Sequence, residues 1–375
     1  MKTKKWMIGF LVILLVMSVF TAGVSSGRSF EPGGVELDLF ESGEGSRDDP
    51  YMIDDVYQLQ LMGIYEDAHY ELEDNIEAEE TREWYDRRGF EPVGDDDHPF
   101  TGSLDGNGYE IRGLYIHRSD TDHVGLFGAI ERGSIENLGL VNADITGDER
   151  VGGITGSLER GSVENSFVKG EVNGDESVGG LVGENDDGRI SKCFTDGEVN
   201  GDKSVGGLVG ENDEGTVKNS YSTAEARGEE EVGGLIGTND EGTVENTYAA
   251  GAIWGDDDVG GLIGEDEDGR IRNSFWDAET TGQISSDGGT GKSTEEMQSI
   301  ETYTDTETTG LDQPWDIARG GEWSGEIWYI YDEEDYPRLR GLEEDDDDNG
   351  IPGFSFLIFL PAVILALAIY RMKKG

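Results

Sequence analysis

The residues with the best claim to chemistry are acids that recur at a fixed interval. Asp186-Asp187, Asp213-Glu214, Asp240-Glu241 and Glu267-Asp268 follow one another every 27 residues, and Glu229-Glu230-Glu231 and Asp256-Asp257-Asp258 form a second set with the same spacing. Hard cations such as Ca²⁺ gather several carboxylate oxygens. If the chain folds with equivalent positions stacked, Asp186, Asp187, Asp213 and Asp240 line one edge and Asp256, Asp257 and Asp258 another, as candidate metal ligands. Neither an EF-hand loop nor a nonapeptide calcium repeat is present. A solvated acidic face explains the pattern more simply, so the expectation is no cofactor, with Ca²⁺ the candidate should one bind.

Other reactive groups form no set. His69, His98, His117 and His123 all precede the acidic repeats and make no His-Glu-x-x-His pair, which leaves zinc chemistry without a basis. Cys193 is the single cysteine; it can form no intrachain disulfide and is expected to be a small packed side chain. A glycosidase or lyase needs clustered acids and bases on an outer face. In a repeating chain such a site should stand out as departures from the repeat. Those departures are Lys192, Cys193, Trp254, Trp276 and the pair Arg189 and Arg270. They make no acid–base set, no catalytic residue is assigned, and the chain is read as a non-enzyme. Either Trp254 or Trp276 could stack on a sugar or pack beneath a loop.

The elements that would position these groups follow from composition and period. The chain has 375 residues, 82 acidic and 28 basic. Six of the basic residues lie in 1–26 and 351–375, which hold no acids, so the part between carries 22 basic against 82 acidic residues, a net charge of −60. Such an excess argues against nucleic acid, which is bound largely through Lys and Arg on phosphate, and against docking on an anionic membrane surface. Like charges a few ångströms apart repel, and molar salt shortens the Debye length to roughly 3 Å. The composition therefore implies a halophilic source. Low hydrophobicity with high charge also marks disorder, but a strict period speaks against it.

Coils begin at Val151, Val178, Val205, Val232 and Val259. An earlier coil from Val124 lacks one residue near Gly125-Leu126-Phe127-Gly128 and regains one before Gly147. Each coil breaks at turn residues into three short β-prone runs: Val-Gly-Gly-Leu-Val-Gly, one like Val217–Tyr221, and one like Glu171–Asn173. Alternation in the second run places Val163, Ile190, Val217, Val244 and Ile271 on one side together with Phe167, Phe194, Tyr221, Tyr248 and Phe275. Asn165, Asn219, Asn246 and Asn273 share that side. Stacked coils would then carry inward aliphatic and aromatic files and a hydrogen-bonded asparagine ladder that Lys192 interrupts, its amine reaching an acid or solvent. No coil stands alone, so stability must come from neighbours, with caps at the ends. The expected fold class is all-β, a right-handed parallel β-helix of 27-residue coils, the hand taken from parallel crossovers in general.

The repeats resemble the GLUG-motif family. Gly180-Leu181-Val182-Gly183, Gly207-Leu208-Val209-Gly210, Gly234-Leu235-Ile236-Gly237 and Gly261-Leu262-Ile263-Gly264 match its pattern, and Gly153-Ile154-Thr155-Gly156 departs by one residue. Residues 100–109, Phe275-Trp276-Asp277 and Tyr336-Pro337-Arg338-Leu339 look like the family's lead-in and ending. The resemblance covers about residues 48 to 341. It implies a β-helical solenoid in bacterial and archaeal surface proteins and no particular activity. The motif also occurs in large surface peptidases, where the repeats are not the catalytic part.

The two ends read as addresses. Lys2, Lys4 and Lys5, the apolar stretch Trp6 to Phe20 and the small residues after it suit a signal peptide over 1–26. Residues 351–370 carry no charge, enough for a transmembrane helix, and the basic tail behind them sets the cytoplasmic side. Pro352-Gly353-Phe354, the apolar span and the tail resemble the PGF-CTERM sorting signal of archaeal surface proteins, which implies an archaeosortase as processing partner and a lipid in place of the helix. The division expected is a signal peptide over 1–26, a linker over 27–49, an N-terminal cap and first coil over 50–123, a GLUG-repeat solenoid over 124–285, a C-terminal cap over 286–341, an acidic spacer over 342–350 and the sorting signal or transmembrane helix over 351–375. The function expected is that of an extracellular solenoid held at the cell surface by a membrane anchor. Its role would be adhesive, envelope-structural or recognition, with cell-surface glycans or S-layer proteins as partners. A carbohydrate-active enzyme on the same scaffold and a cation-binding surface module are the alternatives.

Overall fold

The computed structural model describes residues 40, 42–320 and 325–342. The signal-type segment 1–26 and the sorting segment with Pro352, Gly353 and Phe354 lie outside the described residues. Among the described residues no helix is long and apolar enough to cross a membrane.

Runs of three to seven residues between turn residues are too short and too glycine-rich for helices, and the chain winds them into a parallel β-solenoid of about six regular coils. One coil contains the strands Val182–Asp186, Arg189–Ser191 and Phe194–Asn200 and then Lys203–Gly206, which begins the next. Equivalent strands stack in four parallel sheets of five, six, nine and twelve strands among the described residues. The register follows the sequence period: Val151 pairs with Val178, Val178 with Val205, Val205 with Val232 and Val232 with Val259. Backbone hydrogen bonds run from coil to coil, as from the Leu181 amide to the Leu208 carbonyl at 2.9 Å and from Leu208 to Leu235 at 2.9 Å.

The coils from Val151 and Val178 thus have four strands where three runs were expected, and those from Val205 and Val232 have five, with Tyr221–Ser222 separate from Glu225–Arg227 and Tyr248–Ala249 separate from Ile253–Trp254. The Val-Gly-Gly-Leu-Val-Gly run is cut at its Gly-Leu pair, which turns a corner, and in the four-stranded coils the aromatic end of the second run joins the third in one longer strand, Phe167–Asn173 or Phe194–Asn200. The coil from Val124 keeps its length as anticipated. Phe127 pairs 28 residues away with Thr155, and a bulge opposite Lys169/Gly170 restores the offset, so that Ala143 pairs with Gly170. Asn142, at φ 54°, is the extra residue.

Residues 50–123 supply strands to the same sheets. Tyr51–Ile53, His69–Leu72 and Ser103–Asp105 extend the nine-stranded sheet in parallel register, through coils of unequal length. The short helix Val56–Leu61, capped by the Asp55 side chain accepting from the Tyr57 and Gln58 amides, covers this end with buried Val56 and Leu59.

The solenoid core holds one file per inward position. Val163, Ile190, Val217 and Val244 have no exposed surface and pack with Leu181, Leu208, Leu235 and Leu262. The aromatic file is the main departure from expectation. Phe167, Phe194, Tyr221 and Tyr248 do stack, with ring centroids 4.9, 5.0 and 4.8 Å apart and planes within 8°. They belong, however, to a second core outside the solenoid wall. The physical reason is the residue two positions earlier. Asn165, Lys192, Asn219, Asn246 and Asn273 lie at φ 49–55°, a left-handed corner that breaks the period-two alternation. The next residues, Ser166, Cys193 and Ser220, turn inward with no exposed surface, and the rings face out.

What covers the rings is the segment after the last coil. Thr290–Lys292 pairs with Phe275–Asp277. Ser293 then starts the helix Thr294–Met297 with a capping box, and a second short helix, Glu301–Thr304, follows. A three-stranded sheet of Ile317–Arg319, Trp328–Ile330 and Arg338–Leu339 completes the segment. Tyr303, Trp315 and Trp328 reach the aromatic file, with Trp328 5.9 Å from the Tyr221 ring and Tyr303 5.7 Å from Phe275. The segment is therefore a strap along one outer face, sealed by its own hydrophobic core.

Candidate functional site

The repeat motif is architectural. Leu181 fills the core, and a Cβ on Gly183 would lie 2.5 Å from the Gly156 carbonyl oxygen, so only glycine lets adjacent coils approach. The same holds for Gly180, whose Cβ would lie 2.4 Å from the Gly207 carbonyl oxygen. Gly207-Leu208, Gly210, Gly234-Leu235, Gly237, Leu262 and Gly264 repeat the arrangement in later coils, a Cβ on Gly261 would instead meet the Trp276 ring at 2.1 Å, and Ile154 occupies the leucine place in the coil that departs.

Two asparagine ladders run along the stack. One sits at the corner as expected: Asn165 Nδ2 donates to Asn137 Oδ1 at 2.7 Å, Asn246 to Asn219 at 3.2 Å and Asn273 to Asn246 at 3.3 Å. Lys192 interrupts it and is exposed. The other is fully internal and was not anticipated. Asn185 Nδ2 donates to Asn212 Oδ1 at 2.6 Å, Asn212 to Asn239 at 2.7 Å, and Asn239 to the carboxylate of Asp266 at 2.6 Å. Its signal was present in the Glu-Asn-Asp repeat, read as turn residues because acids follow it. Cys193 lies in the inward file with Ser166 and Ser220. Burial pushes its thiol up to about 12, which makes it an inert packing group.

The acidic candidates divide by geometry. Asp186, Asp213 and Asp240 end successive strands of one sheet and are half-buried, while Asp187, at φ 52°, is exposed. Asp186, Asp213 and Asp240 follow Asn185, Asn212 and Asn239, which pair in register from strand to strand, and the Asp213 carboxyl is raised above the ordinary range by burial and then by the charges of Asp186 and Asp240. Asp256, Asp257 and Asp258 are all exposed at another corner, Asp257 opposite Glu230 and Asp258 at φ 51°. Among the described residues no group of three or more His, Cys, Asp or Glu side chains is disposed to hold a metal ion. Arg189 and Arg270 are both exposed.

The histidines are dispersed. His69 Nδ1 meets Ser103 Oγ at 2.7 Å, His98 pairs with Asp95 at 3.5 Å and His123 with Asp96 at 3.2 Å.

The structure separates the two tryptophans. Trp276 is buried inside the last coil against Gly261 and Gly291. Trp254 is 46% exposed. It stands in a column with Asn200 and Arg227. The Arg227 guanidinium lies 4.4 Å from the centroid of the Trp254 ring and is held by Glu225 at 2.8 Å. Beside the ring opens a cleft of about 650 Å³, bounded by Arg227, Trp254, Asp256, Thr280, Thr281 and Gln283. Arg227 and Gln283 carried no sequence signal, because they meet Trp254 only through stacking and a loop.

Comparison with known proteins agrees with this architecture. Residues 174–200 and 201–226 match the model of the GLUG motif. The chain is similar to halomucin of Haloquadratum walsbyi, 43% identical over 128 residues, covering 32% of this chain and 1% of that protein. It is also similar to a protein of Evansella cellulosilytica proposed to be a Gly-rich membrane protein, 36% identical over 119 residues, covering 30% of this chain and 13% of the other. In three dimensions it resembles a crystal structure from Bacteroides ovatus of a protein proposed to be an immunoglobulin A1 protease. That likeness has a TM-score of 0.59 at 23% identity and covers 69% of this chain and 89% of the other. At that identity the likeness is one of fold.

Proposed function

We propose that the chain is a cell-surface scaffold of a halophilic archaeon, a right-handed β-solenoid held outside the membrane with an adhesive, envelope-structural or recognition role, and not an enzyme. The observation that carries this reading is the stacking of like residues coil upon coil. Equivalent positions from Val151 to Val259 keep one register, and acids recur on the outer corners as in Asp186, Asp213 and Asp240. Such a body presents one long repeating surface rather than a single pocket of converging groups. Similarity to halomucin and to a proposed membrane protein supports a place at the surface. Anchoring through Pro352-Gly353-Phe354 and the apolar span, with archaeosortase processing, belongs to the same proposal.

Protease treatment of intact cells expressing the full chain tests it. The solenoid should be cleaved from outside and should travel with the membrane fraction. A protein protected in intact cells would refute the surface assignment, and release of product from a polysaccharide panel would refute the non-enzyme reading. The alternative reading is a cation-binding surface module, with Asp186, Asp213 and Asp240 as its candidate ligands. A Ca²⁺-specific rise in melting temperature at fixed ionic strength, absent with Mg²⁺, would support it.

A further inference from the structure

We infer that the cleft beside Trp254 is a binding site for neutral carbohydrate. The inference deepens the surface-recognition reading and rests on it. The starting point is where the column stops. In three successive coils the aromatic-bearing edge continues through Asn200, Arg227 and Trp254. In the last coil the strand ends at Asp277, so no strand residue stacks on Trp254 from the next coil. The chain turns away through Thr280 and Thr281, whose loop is pinned beside the strand by the Ile253 amide donating to the Thr281 carbonyl at 3.2 Å and by Gln283 Nε2 donating to the Ile253 carbonyl at 3.1 Å. The result is a slot between a partly bare indole and a fixed polar loop.

Each wall bears on the ligand. Trp254 is the exposed aromatic platform of the described residues, and a ring left open by a folded protein is suited to the apolar C–H face of a pyranose. The Arg227 guanidinium stacks on the ring at 4.4 Å and is itself held by Glu225, which braces the indole from one side. The Thr280 hydroxyl, the carboxylate of Asp256 and the Arg227 guanidinium line the slot with donors and acceptors, while the buried Thr281 hydroxyl donates to the Asp277 carbonyl at 2.6 Å and fixes the loop; such polar groups beside an aromatic face orient a polyhydroxylated ligand. Charge selects within that class. Asp256 lines the slot, the exposed Asp257 and Asp258 follow it in the chain, and Arg227 is already held by Glu225 and lies 4.0 Å from Glu198. An anionic sugar would meet acids without a spare cation, so a neutral one is preferred.

The test uses the purified full chain in detergent at molar NaCl, with neutral hexasaccharides of glucose, mannose and galactose as probes and a uronic-acid hexamer as the charged control. Saturation-transfer NMR and calorimetry report binding. At least one neutral probe should bind with a dissociation constant of about 1 mM or tighter, and Trp254→Ala should weaken it by about tenfold or more. Trp254→Phe should retain most of the affinity, and circular dichroism should stay unchanged in both variants. Binding of none of the neutral probes, equal binding by Trp254→Ala, or preference for the uronic-acid hexamer would each overturn the assignment. Protease accessibility on intact cells, which does not involve Trp254, reports separately whether the surface reading itself stands.

Discussion

The hydroxyl of Tyr336 donates a 2.7 Å hydrogen bond to Oδ2 of Asp277, a carboxylate with no exposed surface. Asp277 ends the last aromatic-bearing strand, and Tyr336 lies in the strap. The same carboxylate accepts from Thr294 Oγ1 at 2.7 Å and from the amides of Glu279 and Thr280 at 2.8 and 3.1 Å. One buried group thus joins the end of the solenoid to the segment that seals its outer face.

Asp277→Ala leaves those donors buried without a partner and is expected to cost about 3 kcal/mol. Tyr336→Phe removes one hydrogen bond to a charged group, for a loss of about 1–2 kcal/mol. The damage should be local. Hydrogen exchange in 293–342 should accelerate in both variants while the amides of Leu181, Leu208 and Leu235 stay protected. Equal acceleration in the solenoid would show that strap and coil open as one unit.

The internal ladder makes a sharper demand. Asn212 both donates and accepts within a column that has no exposed surface. Asn212→Leu leaves the Asn185 amide and the Asn239 carbonyl without their mates and should destabilise by about 2–4 kcal/mol. Lys192→Asn should act in the opposite sense. Lys192 holds φ 54° at a corner where the neighbouring coils carry Asn165 and Asn219. Asparagine tolerates that conformation better than lysine and would complete the corner ladder, a gain of about 1 kcal/mol. Urea melts of both variants decide the matter, and a neutral or destabilising Lys192→Asn would show that the corner needs no ladder.

Much of this architecture was legible because the period is 27 residues and one coil is one turn. The files of Val163, Ile190, Val217 and Val244, the coil-to-coil register and the length-neutral irregularity near Val124 all follow from counting. The side of the wall on which Phe194, Tyr221 and Tyr248 lie did not follow. Simple alternation puts them inside, and only the left-handed corner at Lys192, Asn219 and Asn246 turns them out. Positive φ at those positions leaves no mark beyond a preference for asparagine, which a buried hydrogen-bonding role explains equally well. The strap was invisible for a related reason. Its function is to cover rings that were assigned to the core, so 286–341 had no partner to be matched with beyond the role of a cap.

Packing of the repeat leucines supports a plain measurement. Leu208 has no exposed surface and packs in the central file with Leu181 and Leu235. Leu208→Ala should cost about 2–5 kcal/mol through the cavity it leaves. The conservative Leu208→Ile, the residue type Ile154 already supplies in this file, should cost less than about 1.5 kcal/mol. A cost for Leu208→Ala within about 0.5 kcal/mol of zero would mean that the file does not carry stability.

Salt and pH act on the acidic shell in a direction that burial sets. Asp213, Asp266 and Glu211 are all raised above the ordinary carboxyl range, in each case first by burial; for Asp213 the charges of Asp186 and Asp240 add to it. A carboxyl raised on folding binds its proton more readily in the native state, so stability falls as pH rises through its folded value and recovers on acidification. Glu231 runs the other way. Burial opposes its charge, but hydrogen bonds from Ser204 and Thr238 and the Lys203 ammonium outweigh that and lower it. Its contribution is lost as pH falls through the depressed value. Melting temperature should therefore rise from pH 7 toward about pH 5 and turn down below about pH 4, where the last native carboxylates protonate. Molar NaCl or KCl should lift the whole curve and flatten its rise, because screening removes the repulsion that acidification relieves. A curve that falls steadily from pH 7 to pH 5 in dilute buffer, or that is insensitive to salt, would mean that the stacked acids are compensated by bound cations rather than by solvent.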